Sequence, residues 1–191
     1  MSGLIINVRG SNASGKTTVV REFIKSYGDD AEIEQINGNI VTRCGKDAYA
    51  LGRYDKKNGG CDGYKGRDHV FAALDSVIIE KQPRIIIYEG LIYSKTVKMA
   101  LDVAQTFARY GYRYKGIYLR CRFAEVIRRL EERNGGRKYN ILSVKNTYDS
   151  CLSAYKSIKA KGLDIVRIDT DGYSFEDMKH ILPDAIKDMR P

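Results

Sequence analysis

Gly10-Ser11-Asn12-Ala13-Ser14-Gly15-Lys16-Thr17 fits the pattern G-x-x-x-x-G-K-[ST] at every fixed position. The apolar run Leu4-Ile5-Ile6-Asn7-Val8 precedes it, and Thr18-Val19-Val20-Arg21-Glu22-Phe23-Ile24 follows with helical spacing. Strand, glycine loop and helix in that order form a phosphate cradle. Lacking a Cβ, Gly10 and Gly15 reach backbone angles closed to other residues. The amides from Ser11, Asn12, Ala13 and Ser14 onward can then turn inward at a helix N-terminus, where the dipole also favours negative charge. Lys16 would reach the β- and γ-phosphates, the Thr17 hydroxyl would ligate Mg²⁺, and Thr18 would close the contacts. A nucleoside triphosphate is the expected ligand, with ATP and Mg²⁺ as cofactors.

Working outward, 191 residues suit one domain with a real core. Hydrophobic residues make up 43% and charged ones 30%, an ordinary soluble balance. No apolar run approaches the roughly 20 residues that cross a bilayer. Met1-Ser2-Gly3 leads straight into the first strand, so the expected location is cytoplasmic, with no membrane partner. Cys44, Cys61, Cys121 and Cys151 form no C-x-x-C pair, and Cys44, Cys61 and His69 lack the spacing of a standard zinc module. Reduced thiols are expected. The formal charge of +9 calls for an anionic partner, nucleotide or nucleic acid. A homodimer is among the assemblies open to the chain.

Short strand-like runs alternate with longer helical ones, the sign of an α/β sheet wrapped by helices. Strands are expected at 4–9, 32–36, 39–44, 49–54, 84–89, 114–120 and 163–168. Asn37-Gly38 between the second and third is a strong hairpin signal. Helices are expected at 15–27, 68–82 with Asp68 as cap, 94–110 with Ser94 as cap, 123–133 and 141–160. A last one follows Ser174 and carries Phe175, Met178, Ile181 and Leu182.

Three stretches together resemble the P-loop nucleoside and nucleotide kinases, thymidylate-kinase-like members in particular. They are Gly10–Thr17; Ile117-Tyr118-Leu119 with Glu125, Arg129 and Arg133; and Val166-Arg167-Ile168-Asp169-Thr170-Asp171-Gly172 with Ser174-Phe175-Glu176. The resemblance implies a three-layer α/β/α fold whose five-stranded parallel sheet has the order 2-3-1-4-5, carrying a small β-hairpin insertion. It also implies an arginine-bearing lid around 128–140 and an acceptor-side insertion around 37–67. Arg129 and Asp171 would serve the nucleotide, Asp171 on the loop under the adenine. The family's Asp-Arg pair after the third strand is replaced by Glu89-Gly90-Leu91, and no Asn-Lys-x-Asp guanine signature is present. A narrower likeness runs through Leu51-Gly52-Arg53-Tyr54-Asp55 and Gly59-Gly60-Cys61-Asp62-Gly63. This pattern is similar to small bacteriophage kinases thought to phosphorylate 5-hydroxymethyl-pyrimidine bases in DNA.

Arg129 and Arg133 lie four apart and share one helix face, with Arg128, Arg137 and Lys138 extending the cluster to a hinge at Gly135-Gly136. A closing lid would bring them onto the moving phosphate. Glu89 ends a buried strand near the γ-phosphate, where it can orient metal-bound water or act as general base. A monophosphate acceptor needs mainly cationic clamps. A hydroxyl acceptor needs a carboxylate within about 3 Å, for which Asp55 and Asp62 are the further candidates. Arg43, Lys46, Arg53, Lys56, Lys57, Lys65 and Arg67, interleaved with Tyr49, Tyr54 and Tyr64, suit a surface that tracks phosphates and stacks bases. Arg43, Arg53, Tyr54, Tyr64, Arg67 and Tyr93 are the substrate-binding candidates. The leading expectation is an ATP-dependent kinase acting on a base-modified nucleotide in DNA. A deoxynucleoside monophosphate kinase, a small-metabolite kinase and a nucleic-acid-binding ATPase switch are the other readings.

Overall fold

Runs such as Ile85-Ile86-Ile87-Tyr88-Glu89 carry no polar alternation, so they form strands covered on both faces. In the computed structural model, which describes residues 3–27, 31–55, 59–135 and 137–187, β1 (Gly3–Gly10) and β5 (Ile85–Glu89) are buried at every position. β1 pairs in parallel with β5 on one side and with β6 (Tyr112–Arg120) on the other. β4 (Ala48–Leu51) continues the parallel pairing beyond β5, and β7 (Ile165–Asp169) continues it beyond β6.

The hairpin of β2 (Ala31–Ile36) and β3 (Asn39–Cys44) then adds antiparallel strands to β4, giving the order β2-β3-β4-β5-β1-β6-β7. The sheet is therefore seven-stranded and mixed, which corrects the expected five-stranded parallel sheet. The hairpin is a continuation of it. Asn37 and Gly38, at φ 47° and 79°, make the tight turn, and the buried side chains of Val41 and Cys44 fasten β3 to the core.

One face is covered by α1 (Lys16–Tyr27) and α7 (Phe175–Lys187), through Val19, Val20, Phe23, Met178, Ile181 and Leu182. The other is covered by α2 (Arg67–Lys81), α3 (Leu91–Lys95), α4 (Val97–Ala108) and α6 (Ile141–Ala160). α5 (Phe123–Asn134) packs on the first half of α6 around Cys121, Val126, Leu130, Val144 and Tyr148, with Ala13 touching the cluster. All four cysteines are free and buried, and burial pushes the Cys44 thiol up to about 12. Among the described residues no helix is long and apolar enough to cross a membrane.

Two expected caps are corrected. Asp68 sits in the first turn of α2 while Gly66 takes the cap position. Ser94 caps nothing, because the expected single helix is two, α3 and α4, broken at Thr96. Arg9 accounts for the break. Wholly buried at the end of β1, its guanidinium donates to Asn7 Oδ1 at 2.6 Å and to the carbonyls of Ser94 and Thr96 at 3.0 and 3.2 Å. A continuous helix would need those carbonyls for its own ladder.

Ser174 does cap α7. Its amide donates to Asp177 Oδ2 at 2.8 Å, and the Asp177 amide donates back to Ser174 Oγ at 3.2 Å. This cap has a bearing on the glycine loop, since a Cβ on Gly15 would lie 2.9 Å from the Met178 side chain of α7. Ser174→Ala should cost about 1 kcal/mol, lowering Tm by roughly 2–4 °C in a calorimetric scan.

Candidate active site

The glycine loop leaves β1 in a bend that only its sequence permits. Gly10 has φ 151°, and a Cβ there would meet Ser14 Oγ at 2.4 Å and the Leu119 carbonyl at 2.6 Å. Its amide donates to Ser94 Oγ at 3.2 Å, and its carbonyl accepts from Cys151 Sγ at 3.6 Å. Ala13, at φ 53°, forms the apex in the left-handed region. Ser14 Oγ and Lys16 Nζ both donate to the Ser11 carbonyl, at 3.0 and 2.8 Å. The amides of residues 12–17 have no protein acceptor among the described residues, and they sit at the N-terminus of α1. Such a ring of donors beside a lysine is suited to a polyphosphate.

The carboxyl end of the neighbouring strand completes the floor. Thr17 Oγ1 donates to Glu89 Oε1 at 2.7 Å, and Glu89 is only 1% exposed. Burial pushes the Glu89 carboxyl above its ordinary range, opposed by the Lys16 charge and the Thr17 hydrogen bond. The segment after β4 folds back across this floor. An Arg53–Gly60 bridge closes it, and Gly60 takes φ 71° with its Cα against the Glu89 carboxylate. A Cβ at Gly60 would stand 2.5 Å from Glu89 Oε1, and one at Gly59 would stand 3.0 Å from Thr17 Cγ2. The 3-10 turn Cys61–Gly63 then sets Asp62, exposed, beside Gly90 and close enough to add to the upward push on Glu89. A hydroxyl and a buried carboxylate thus stand beside Lys16, with a second, exposed carboxylate near Glu89. No cluster of three or more metal-ligating side chains occurs among the described residues. That composition suits Mg²⁺, which takes one or two carboxylates and keeps phosphate and water oxygens for the rest.

The lid-side arginines divide. Arg129 donates to the Ala13 carbonyl at 3.3 Å, to the Thr170 carbonyl at 2.6 Å and to Glu125 at 2.7 Å, so it ties the loop apex to the segment after β7. Arg128 is held by Glu125 and Glu132, and the hydrogen bonds from Arg128 and Arg129 draw the Glu125 carboxyl down to about 2. Arg133 is exposed on the last turn of α5, and Gly135 ends that helix at φ 56°. Gly136 lies outside the described residues. Asp171 accepts from the Arg122 amide at 2.7 Å and pairs with its guanidinium at 3.2 Å. Thr18 is half-buried in the first turn of α1.

The expected substrate-binding set does not assemble. Tyr54 is 7% exposed inside the core beside α1, so its ring has no free face for stacking. Arg43 is bound by Glu32 and Glu34. It pairs across to Tyr49 and thence to Ile86, three residues before Glu89, which places it roughly 10 Å back along the sheet. Arg67 is spent on Asp102 and stacks over Phe71, joining α2 to α4. Tyr64 stacks on His69 and donates to the Ile40 carbonyl. Tyr93 is buried and donates to the Gly66 carbonyl at 3.1 Å, with burial pushing its hydroxyl up to about 12. Arg53 is paired with Asp55 at 2.7 Å on the segment that crosses the floor. Lys56 and Lys57 lie outside the described residues. Sequence reasoning missed Arg9 and the second role of Ser94. A strand residue as polar as Arg9, immediately before the glycine loop, was the available signal.

A mixed sheet whose central strands are parallel, with a glycine loop at the carboxyl end of β1 and a buried carboxylate beside the loop lysine, defines a P-loop phosphotransferase. The chain belongs to the 5-hmdU DNA kinase family, whose profile matches residues 1–179. It is 24% identical to a 5-hmdU DNA kinase of Pseudomonas phage PaMx11, over 93% of this chain and 96% of the relative. Its backbone is similar to that of the YorR protein from Bacillus subtilis, solved with phosphorylated GDP, at a TM-score of 0.55 and 16% identity, covering 98% of this chain and 99% of YorR. Deoxyadenosine kinase from M. mycoides, solved with dCMP and dCDP, gives 0.53 at 14% identity over 96% and 99%. The chain is an enzyme of the kinase class.

Glu89 carries a testable conflict. Its folded pKa is raised, so the protonated form is the stabilised one and stability falls as pH rises through that pKa. Glu89→Gln should therefore raise Tm at pH 7 while reducing transfer by about 10²-fold or more. The difference in Tm should shrink as the pH falls toward 4. A Tm below wild type at pH 7 would contradict this account of Glu89.

Proposed function

We propose that this chain transfers the γ-phosphoryl group of ATP to the hydroxymethyl oxygen of 5-hmdU within DNA. The observation that carries the reading is the second carboxylate, Asp62, set beside the buried Glu89–Thr17 pair in a chain of the 5-hmdU DNA kinase family. A monophosphate acceptor is already anionic, and a further carboxylate at its approach would repel it. A neutral hydroxyl must lose a proton, and an exposed carboxylate is the group to take it.

The roles divide by environment. The loop amides and Lys16 bind and orient the triphosphate. Thr17 and Glu89 would hold Mg²⁺, which would supply positive charge to neutralise the phosphates. Asp62 accepts the proton as the hydroxymethyl oxygen forms its bond to the γ-phosphorus. The bond to the β-bridging oxygen breaks, and ADP leaves with that electron pair. Arg129, already on the Ala13 carbonyl at the loop apex, turns from it onto the moving phosphate, with Arg133 following as the lid closes. Asp55 is engaged by two hydrogen bonds from Arg53, which lowers its value as a base.

Labelled ATP offered separately to deoxynucleoside monophosphates, ordinary DNA and DNA containing 5-hmdU should label only the last. Label on the monophosphates alone, or phosphate release with no labelled acceptor, would overturn the reading. Asp62→Asn should lower kcat on modified DNA by about 10²-fold or more with little change in the KM for ATP, whereas Asp55→Asn should change kcat by less than about threefold.

A further inference from the structure

A groove of about 300 Å³ runs between α3 and α6, lined by Lys95, Asn140, Leu142, Asn146, Thr147 and Ser150 among others. Its inner end is fixed to the glycine loop from both walls. Ser94, next to Lys95, accepts the Gly10 amide, and Cys151, next to Ser150, donates to the Gly10 carbonyl. From there α6 extends outward over ten residues to Asn140, about 15 Å, room for several nucleotides at roughly 3.4 Å each.

Within the lining, Lys95 is exposed and makes no ion pair among the described residues, so its charge is open to an anion. Around it stand neutral donors and acceptors. The side chains of Asn146 and Thr147 make no intramolecular hydrogen bond among the described residues, and such groups with lysine are those that contact sugar and phosphate in DNA complexes. The rim is also apolar where a free surface should be polar. Leu142, in the lining, is 68% exposed, and outside the lining Ile141, next to it in sequence, is 56% and Ile92 on α3 is 60% exposed. Ile92 shares a face of α3 with Lys95 three residues on.

We infer that the groove between α3 and α6 seats the DNA strand flanking the modified nucleotide, Lys95 meeting a phosphodiester while Leu142 packs against a neighbouring base. This rests on the proposed DNA acceptor, since a free nucleotide has no flanking strand. An enzyme that acts on a base must take it out of the stack, and exposed aliphatic side chains are suited to the gap this leaves.

The test is equilibrium binding of labelled single strands without 5-hmdU, of three and of nine nucleotides, followed by anisotropy across a salt series. Wild type should bind the longer strand more tightly. Lys95→Gln should weaken that binding by about tenfold and lower the slope of log Kd against log salt by roughly one contact. Leu142→Ala should weaken it by a similar factor with the slope unchanged. Both side chains are exposed, and circular dichroism checks that each variant is folded. Unchanged affinity and slope in both variants would overturn the assignment of the groove. Because the readout is binding without transfer, failure of the proposed reaction on 5-hmdU would leave a separate mark, in the label experiment alone.

Discussion

Everything in this molecule is arranged around a carboxylate that physics would rather keep in water. Glu89 lies at the end of an all-apolar strand, almost without solvent, and is held there by the Thr17 hydroxyl and the Lys16 charge. Thr17 and Lys16 stand beside it because β1 and β5 are parallel neighbours in register, Val8 opposite Glu89. Gly59 and Gly60 can close over the pair because neither carries a side chain, and any Cβ at Gly60 would strike the carboxylate. Strand register, glycine loop and crossing segment are thus three conditions on one short contact. A buried charge of this kind costs stability, and functional sites are where such a cost is tolerated.

The net charge of +9 gives a poor map of where anions bind. Many arginines of the described chain are spent on internal partners, carboxylates in most cases and neutral oxygens for Arg9. Arg43 steadies the hairpin, Arg67 joins two helices, and Arg9 is buried beneath the loop as a brace for the α3–α4 corner. Surface pairs of this sort add little stability each, but they remove those cations from any strand-binding path. Suitability for phosphate is therefore a local property, greatest where loop amides without protein acceptors among the described residues surround Lys16.

Much of the fold was legible because its signals are local. Asn37-Gly38 dictated a hairpin, and the observed strands on either side keep nearly the expected bounds. The helix expected at 141–160 keeps those bounds, and the structure adds its cap, the Asn140 side chain accepting from the Ser143 amide at 2.9 Å. What failed was long-range. Nothing within β3 says that it will pair with β4 and so enlarge the sheet, since that edge is created only when β4 docks on β5. Ser94 has the composition of a helix cap, yet a buried guanidinium arriving from residue 9 takes the carbonyls on either side of the break. Tyr54 and Arg43 looked like contacts for a polynucleotide because interleaved basic and aromatic residues look alike whether they face solvent, core or one another.

The same distinction explains why the site was only half readable. Gly10 to Thr17 is a contiguous cradle, so its residues announce one another. Asp62 acquires meaning only from Glu89, twenty-seven positions on, and the bridge between Arg53 and Gly60 is what folds the one over the other. A phosphoryl acceptor with a proton to lose requires that second group. A sequence can place it only by supplying a segment flexible enough to turn back and small enough not to displace the first carboxylate. Glycine at 59 and 60 leaves the room this needs, so under the proposed reaction the choice of acceptor rests on the approach of this segment to Glu89 more than on the phosphate cradle.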